Sequence, residues 1–394
     1  MKQRIDLFNL VLFIVSPFLS IPSIIYGIVK RSKISLALLA FLFGIVSYLY
    51  IPNYSNDKTR YFEIYEMYKY SSFLELFYFY YAQNQDFIFQ SMIFFASKMG
   101  INAQFVFAIV GIITMGILVF IFSKLYENIP KKFSLVVLVL FLFSLPYTDM
   151  LSGIRFMFAV AFVLLAFYQG IILNKKASYI FLILAIFIHF STLIYIPIFF
   201  LLKYFPNKTK LYKIFFFVSF LFFIIPKSFI FSFFDSIGFQ NGLQTKGSAY
   251  LEGDDFLSNT LSIGSTFTLF VFYFTLIVIF TIYAYLVIYK SDSVFRSIIL
   301  LLAASMNVFY SVPTIFFRYG LVLVLFFIFL FIYELSVENK KKTLYFFCFL
   351  FSINLFINII YTKDNIVKSI VNADSLFLIT ILDKEYINFM ELID

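Results

Sequence analysis

Tryptophan is absent from this chain, histidine and cysteine occur once each, and charged residues make up only 13% of its 394 positions. The lone Cys348 excludes an internal disulfide and any cysteine-rich metal site. Also missing are a Walker loop, the dinucleotide glycine fingerprint, Gly-x-Ser-x-Gly, Cys/His metal spacings and the DxD pair that carries a metal in many nucleotide-sugar transferases. Asp254-Asp255 lies in a Gly/Ser/Asn-rich stretch and reads as a solvated turn. No repeat, flexible linker or separate soluble domain interrupts the chain. So little charge beside 62% hydrophobic residues excludes a soluble globule, because apolar runs repeatedly reach the roughly 20 residues that span a bilayer.

What is present is an all-α, polytopic membrane protein, one membrane domain over 1–394. The net charge of +9 falls in short clusters between apolar runs, as orientation by positive cytoplasmic loops requires, so nucleic acid is not expected as a partner. The first run follows Lys2 and Arg4 without a small-residue cleavage site and reads as a membrane helix bent at Pro17 and Pro22. Basic turns at Lys30-Arg31-Lys33, Lys131-Lys132, Lys175-Lys176 and Lys340-Lys341-Lys342 are expected inside. Three segments are expected outside: a loop over 52–100 with an amphipathic helix, with four cations against five acids; a loop over 227–260, with two against four; and an acidic C-terminal tail over 362–394. About ten transmembrane helices result, the shortest from Phe133 to Pro146.

One stretch breaks the alternation. A single crossing from Ala177 to Leu202 would put Lys203, Lys208, Lys210 and Lys213 outside. A re-entrant or broken helix meeting near His189 and Ser191 restores the charge rule, and irregular backbone at that depth is tolerated only where it lines a cavity. The same region carries Arg155 at the start of an apolar helix. A cation buried in lipid costs at least a few kcal/mol, so it persists where it meets water, a headgroup or a partner.

Candidate site residues gather at one expected face: Asp57, Tyr61, Tyr65, Asp86, Asp149, Arg155, His189, Ser191 and Arg318. On a helix Asp57, Tyr61, Tyr65 and Tyr68 share a side, suited to a sugar that stacks on rings and bonds to oxygens; an interfacial helix with tyrosines at headgroup level would show the same pattern. Arg155 and Arg318 can snorkel as lipid-facing arginines do, or pair their guanidinium forks with phosphate oxygens. His189 can be a structural histidine or a general base on a sugar hydroxyl, with Asp57 and Asp86 as competing bases. No metal site and no cofactor are expected.

The order of these features resembles the EpsG-like family of Wzy-type polysaccharide polymerases. The similarity rests on NDKTRYFEIY after the second span, QDFIFQSM before a hydrophobic helix, GIRFMFAVAF opening with Arg155, LAIFIHFSTLI ending in His-Ser, and a late FFRYG. Phe156 stands where the family often has Gln, and Ser55-Asn56-Asp57 where it has Gly-Thr-Asp. The resemblance implies a metal-independent membrane glycosyltransferase that joins oligosaccharide repeat units of a capsule, exopolysaccharide or O-antigen. Its implied substrates are a donor and an acceptor carried on polyprenyl diphosphate, at the outer face of the bacterial cytoplasmic membrane. Other polysaccharide-export proteins would be its neighbours. A lipid-linked-oligosaccharide flippase, a membrane O-acyltransferase and a structural membrane subunit are the rival classes. A flippase needs a large cationic cavity open to both faces, and an acyltransferase needs polar partners on the cytoplasmic side.

Overall fold

The computed structural model describes residues 2–52, 57–83, 87–206, 208–229, 263–289, 293–337, 341–371 and 376–382, and among these every regular element is helical. The first helix breaks at the Ser16-Pro17 bend, giving α1 (Lys2–Val15) and α2 (Ile21–Val29). Arg31 then takes a left-handed conformation (φ 61°), and Ser32 caps α3 (Lys33–Leu49) by accepting the Ser35 N–H. Three helices follow in the segment expected outside, α4 (Asp57–Tyr70), α5 (Phe73–Gln83) and α6 (Phe87–Lys98). The bundle resumes with α7 (Ala103–Tyr126), α8 (Ser134–Ser144), the short α9 (Tyr147–Ser152) and α10 (Ile154–Phe167), which ends in a wide turn over Tyr168–Ile172. Then come α11 (Ser178–Ile188), α12 (Tyr195–Tyr204), α13 (Thr209–Val218), α14 (Ile263–Ile288), α15 (Val294–Asn307), α16 (Pro313–Val337), α17 (Lys341–Tyr361), α18 (Lys363–Ile366) and α19 (Leu378–Leu382).

Helix α16 is the core. It is apolar on every side, and Val322 through Ile332 are all buried, as expected of a helix with no lipid-facing stripe. Helices α3 and α7 approach closely because small residues face each other. A Cβ on Gly44 would fall 2.3 Å from Ile112 Cγ1, and Ser47 Oγ donates across the seam to Phe107 O at 3.0 Å.

Five described helices are long and apolar enough to cross a membrane: Ala103–Tyr126, Ile154–Ile172, Leu269–Ile288, Pro313–Val337 and Lys341–Tyr361. The count of ten complete spans is not met on that measure. Lys33–Leu49 and Val294–Asn307 are shorter, Ser134–Ser144 has only 11 residues, and the first span is two helices. The apolar run Val294–Phe316 is helical only to Asn307, and after the turn over 308–312 Pro313, which lacks an N–H, opens the next helix.

Between Ala177 and Leu202 the chain turns back on itself. Lys203 Nζ, at the end of α12, donates to Gly170 O at 2.8 Å and to Asn174 Oδ1, beside the start of α11. The Tyr179 ring meets Phe199 and Phe200 at 5.9 and 6.2 Å. Both ends of this hairpin therefore lie together, and its apex, His189 to Ile194, lies at the far end. The basic turns are tied at the end opposite the apex: Arg31 Nη2 donates to Ile129 O at 2.6 Å.

Part of the segment expected as an acidic tail is packed. Asn365 Nδ2 donates to Ile51 O at 3.1 Å, Ser369 Oγ accepts from Ile51 N at 2.8 Å, and Ile381 is buried against Tyr48 and Leu49. The loop expected over 227–260 lies outside the described residues beyond 229, as does Asp86.

Candidate functional site

At the end of the bundle where the hairpin apex lies, seven elements enclose a cavity of about 440 Å³. Tyr50 follows α3, Asp57 and Tyr61 come from α4, Thr148, Asp149 and Ser152 from α9, and Arg155 and Phe156 from α10. The hairpin contributes His189, α16 contributes Arg318 and Leu321, and the end of α17 with α18 closes the wall through Tyr361, Thr362 and Asn365. Small-molecule sites commonly occupy roughly 300–1,000 Å³, so this volume suits sugar and phosphate groups and is too small for a whole lipid-linked oligosaccharide.

Each wall is held for a local reason. Lys58 is fully buried and donates its ammonium to Ser47 O (2.7 Å) and Tyr50 O (3.0 Å), the open carbonyls at the end of α3. Its Nζ also lies 5.1 and 4.7 Å from the Tyr50 and Phe107 ring centres. That staple fixes the start of α4 and so places Asp57 on the cavity rim. Burial holds the Lys58 ammonium well below the ordinary lysine pKa. Arg155 reaches over the Tyr61 ring, its guanidinium carbon 5.6 Å from the centroid.

Asp57 lies between two guanidiniums, Oδ1 3.7 Å from Arg60 and Oδ2 3.9 Å from Arg318. At the apex, His189 has left helical backbone (φ −153°, ψ 113°) and its Nδ1 accepts the Ser191 N–H at 3.2 Å, with Ser191 Oγ at 2.9 Å. Tyr319 OH donates to Ser191 O at 3.2 Å, and the Phe156 ring stands edge-on to the imidazole at 5.5 Å. The apex is thus pinned from α10 and α16.

Asp149 is set among protein atoms and exposed only in part. Burial pushes its carboxyl up to about 6, against the opposing charge of Arg318 and its own backbone N–H. Among the described residues, no group of three or more His, Cys, Asp or Glu side chains is placed to hold a metal ion.

The EpsG family model matches residues 36–372, a range that contains every residue lining the cavity. The chain belongs to the EpsG family. Membership makes it a membrane protein of a polysaccharide-polymerase-like, glycosyltransferase-like family. No curated protein and no solved structure matches it.

In this EpsG-family chain Asp57, Tyr61, Asp149, Arg155, His189 and Arg318, far apart in sequence, face one cavity. Tyr65 does not line it: its buried ring belongs to a second apolar core with Phe94 and Phe107, and its carbonyl accepts Ser97 Oγ at 2.9 Å. Ser191 stands behind His189 and holds the imidazole. Sequence reasoning did not find Tyr50, Thr148, Ser152, Tyr361, Thr362 or Asn365. The only signal for the last three is their position at the end of a span expected to finish on the same face as Arg155.

Proposed function

We propose that this EpsG-family protein is a glycosyltransferase that polymerises oligosaccharide repeat units carried on polyprenyl diphosphate. The observation that carries the reading is the pairing of two guanidiniums, Arg155 and Arg318, with carboxyl and imidazole groups in one cavity. A diphosphate is already a good leaving group. What it needs is positive charge as it departs, and guanidinium forks supply that by pairing with phosphate oxygens. What the acceptor hydroxyl needs is a base within reach and a ring to lie on, and Tyr61 offers its face beside Arg155. On this reading the protein needs no metal, because the arginines take the role a divalent cation has in many nucleotide-sugar transferases.

We further propose that the cavity faces the outside of the bacterial cytoplasmic membrane. Its end of the bundle is opposite the basic turns tied through Arg31, and positive loops stay in the cytoplasm. With both ends of the hairpin on that basic side, the segment from Ala177 to Leu202 is re-entrant and its apex lies in the outer half of the membrane. The cavity's size and its position at one end favour this reading over a flippase. The product is a capsule, exopolysaccharide or O-antigen chain, made beside other polysaccharide-export proteins.

Purified protein in liposomes loaded with polyprenyl-diphosphate-linked repeat units tests the reading. A ladder of multiples of the unit, with release of polyprenyl diphosphate, is expected. Units that cross the bilayer without lengthening would overturn it.

A further inference from the structure

Three groups compete for the proton of the acceptor hydroxyl, Asp57, Asp149 and His189, and their surroundings separate them. This step rests on the polymerase reading above. Asp57 has each carboxylate oxygen turned to a guanidinium, Oδ1 to Arg60 and Oδ2 to Arg318. It is placed to hold Arg318 in position.

His189 is constrained at the other ring nitrogen. A backbone N–H can only donate, so the Ser191 N–H at Nδ1 makes that nitrogen an acceptor and leaves the neutral ring's proton on Nε2. In that tautomer the ring's donor is Nε2–H. A base working through Nε2 would need the proton on Nδ1, where Ser191 Oγ at 2.9 Å could accept it but the Ser191 N–H at 3.2 Å would oppose it.

We infer that Asp149 is the base of this site and that His189 works as a hydrogen-bond donor through Nε2 to a substrate oxygen. Asp149 lines the cavity from α9, which sits directly before the helix carrying Arg155 and packs against α4. The titratable and charged groups sharing the cavity with it are Asp57 and Tyr61 from α4, Arg155 from α10, His189 from the hairpin, Arg318 from α16, and Tyr50 and Tyr361. Burial raises the Asp149 carboxyl to about 6, which leaves it ionised at neutral pH yet a stronger base than an ordinary aspartate.

The step balances without an oxidant or a further reactant. An oxygen of the acceptor sugar's hydroxyl forms a bond to the anomeric carbon of the donor sugar. The bond from that carbon to the diphosphate oxygen breaks, and polyprenyl diphosphate leaves with the electron pair. The hydroxyl proton passes to the Asp149 carboxylate and then to water, while Arg155 and Arg318 face the charge on the departing group.

The base must be ionised, so polymerisation rises as pH increases through about 6 and then levels. An unperturbed imidazole, at about 6.5, would give a similar limb, so the wild-type profile alone does not separate the two. His189→Gln does, because the Gln amide can donate as Nε2–H does and cannot act as a base.

The experiment uses membrane vesicles from cells that make the repeat unit, so donor and acceptor are the native lipid-linked species, and follows polymer formation from pH 5 to 8. His189→Gln is expected to lose no more than about tenfold and to keep the acidic limb. Asp149→Asn is expected to lose about a hundredfold or more and to lose the limb, since a general base contributes about 10²–10⁴. Asp149→Glu, which keeps a carboxylate, should restore part of the rate together with the limb, and this guards against a merely misfolded Asn variant. A limb that vanishes in His189→Gln or persists in Asp149→Asn would overturn the assignment and leave the polymerase reading standing. Wild-type vesicles that form no polymer would overturn both.

Discussion

Arg318 and Asp57 stand 3.9 Å apart across the cavity, linking the second turn of α16 to the first residue of α4. The pair joins the buried core helix to α4, and both partners are partly exposed, so its worth lies in placement more than in stability.

Arg155→Lys and Arg318→Lys each keep a charge and lose the planar fork. Hydrogen bonds to charged groups are worth about 1.5–3 kcal/mol, so each change should lower polymer formation about 10- to 100-fold while membrane content stays the same. Polymer assays beside immunodetection of the membrane fraction check this. Wild-type polymer in Arg155→Lys would make Arg155 a snorkelling side chain.

Lys58→Met retains the volume and removes the donors to Ser47 O and Tyr50 O. Losing a buried partner costs about 1–3 kcal/mol, so the thermal midpoint of the detergent-solubilised protein should fall. It should also cut activity, since Asp57 is the adjoining residue. An unchanged midpoint would show that the staple is dispensable.

These two examples show what could be read from the sequence and what could not. Arg155 and His189 stand out because charge or imidazole inside an apolar helix is costly, and Asp57, Tyr61, Asp149 and Arg318 follow from the expected sidedness of the helix ends. Lys58 looks like any loop cation; its burial depends on two carbonyls at the end of another helix, which no residue pattern announces. The tyrosine periodicity on α4 was legible and all three rings are buried, yet each step of four residues advances about 6 Å, which carries Tyr65 past the cavity into the core around Phe94. The five long apolar helices were legible by hydropathy, and so was the bend at Pro17, but the break over 308–312, just before Pro313, was not. Thr362 and Asn365 fall in the segment expected as an acidic tail over 362–394, and nothing in its composition signals that it packs against Ile51.

Truncation after Thr362 removes Asn365 and Ser369, which bond to Ile51, and opens one wall of the cavity. All five long apolar helices remain, so insertion should persist while polymer formation falls at least tenfold. A truncated protein with wild-type activity would show that this wall is not needed.

The hairpin is tested by cysteine labelling in a Cys348→Ser background. Lys208→Cys, just after α12, should react with a membrane-impermeant maleimide only after the cells are opened, as should Lys175→Cys before α11. Labelling of position 208 in intact cells would require a single crossing between Ala177 and Leu202.

The most direct test of an outward-facing polymerising site uses Arg155→Ala in intact cells and an external glycosidase. With the diphosphate held poorly but export untouched, the lipid-linked glycans should carry one repeat each and be cleaved from outside. Single units that resist the enzyme until the cells are opened would mean the block precedes export, and would contradict the polymerase account in favour of transport.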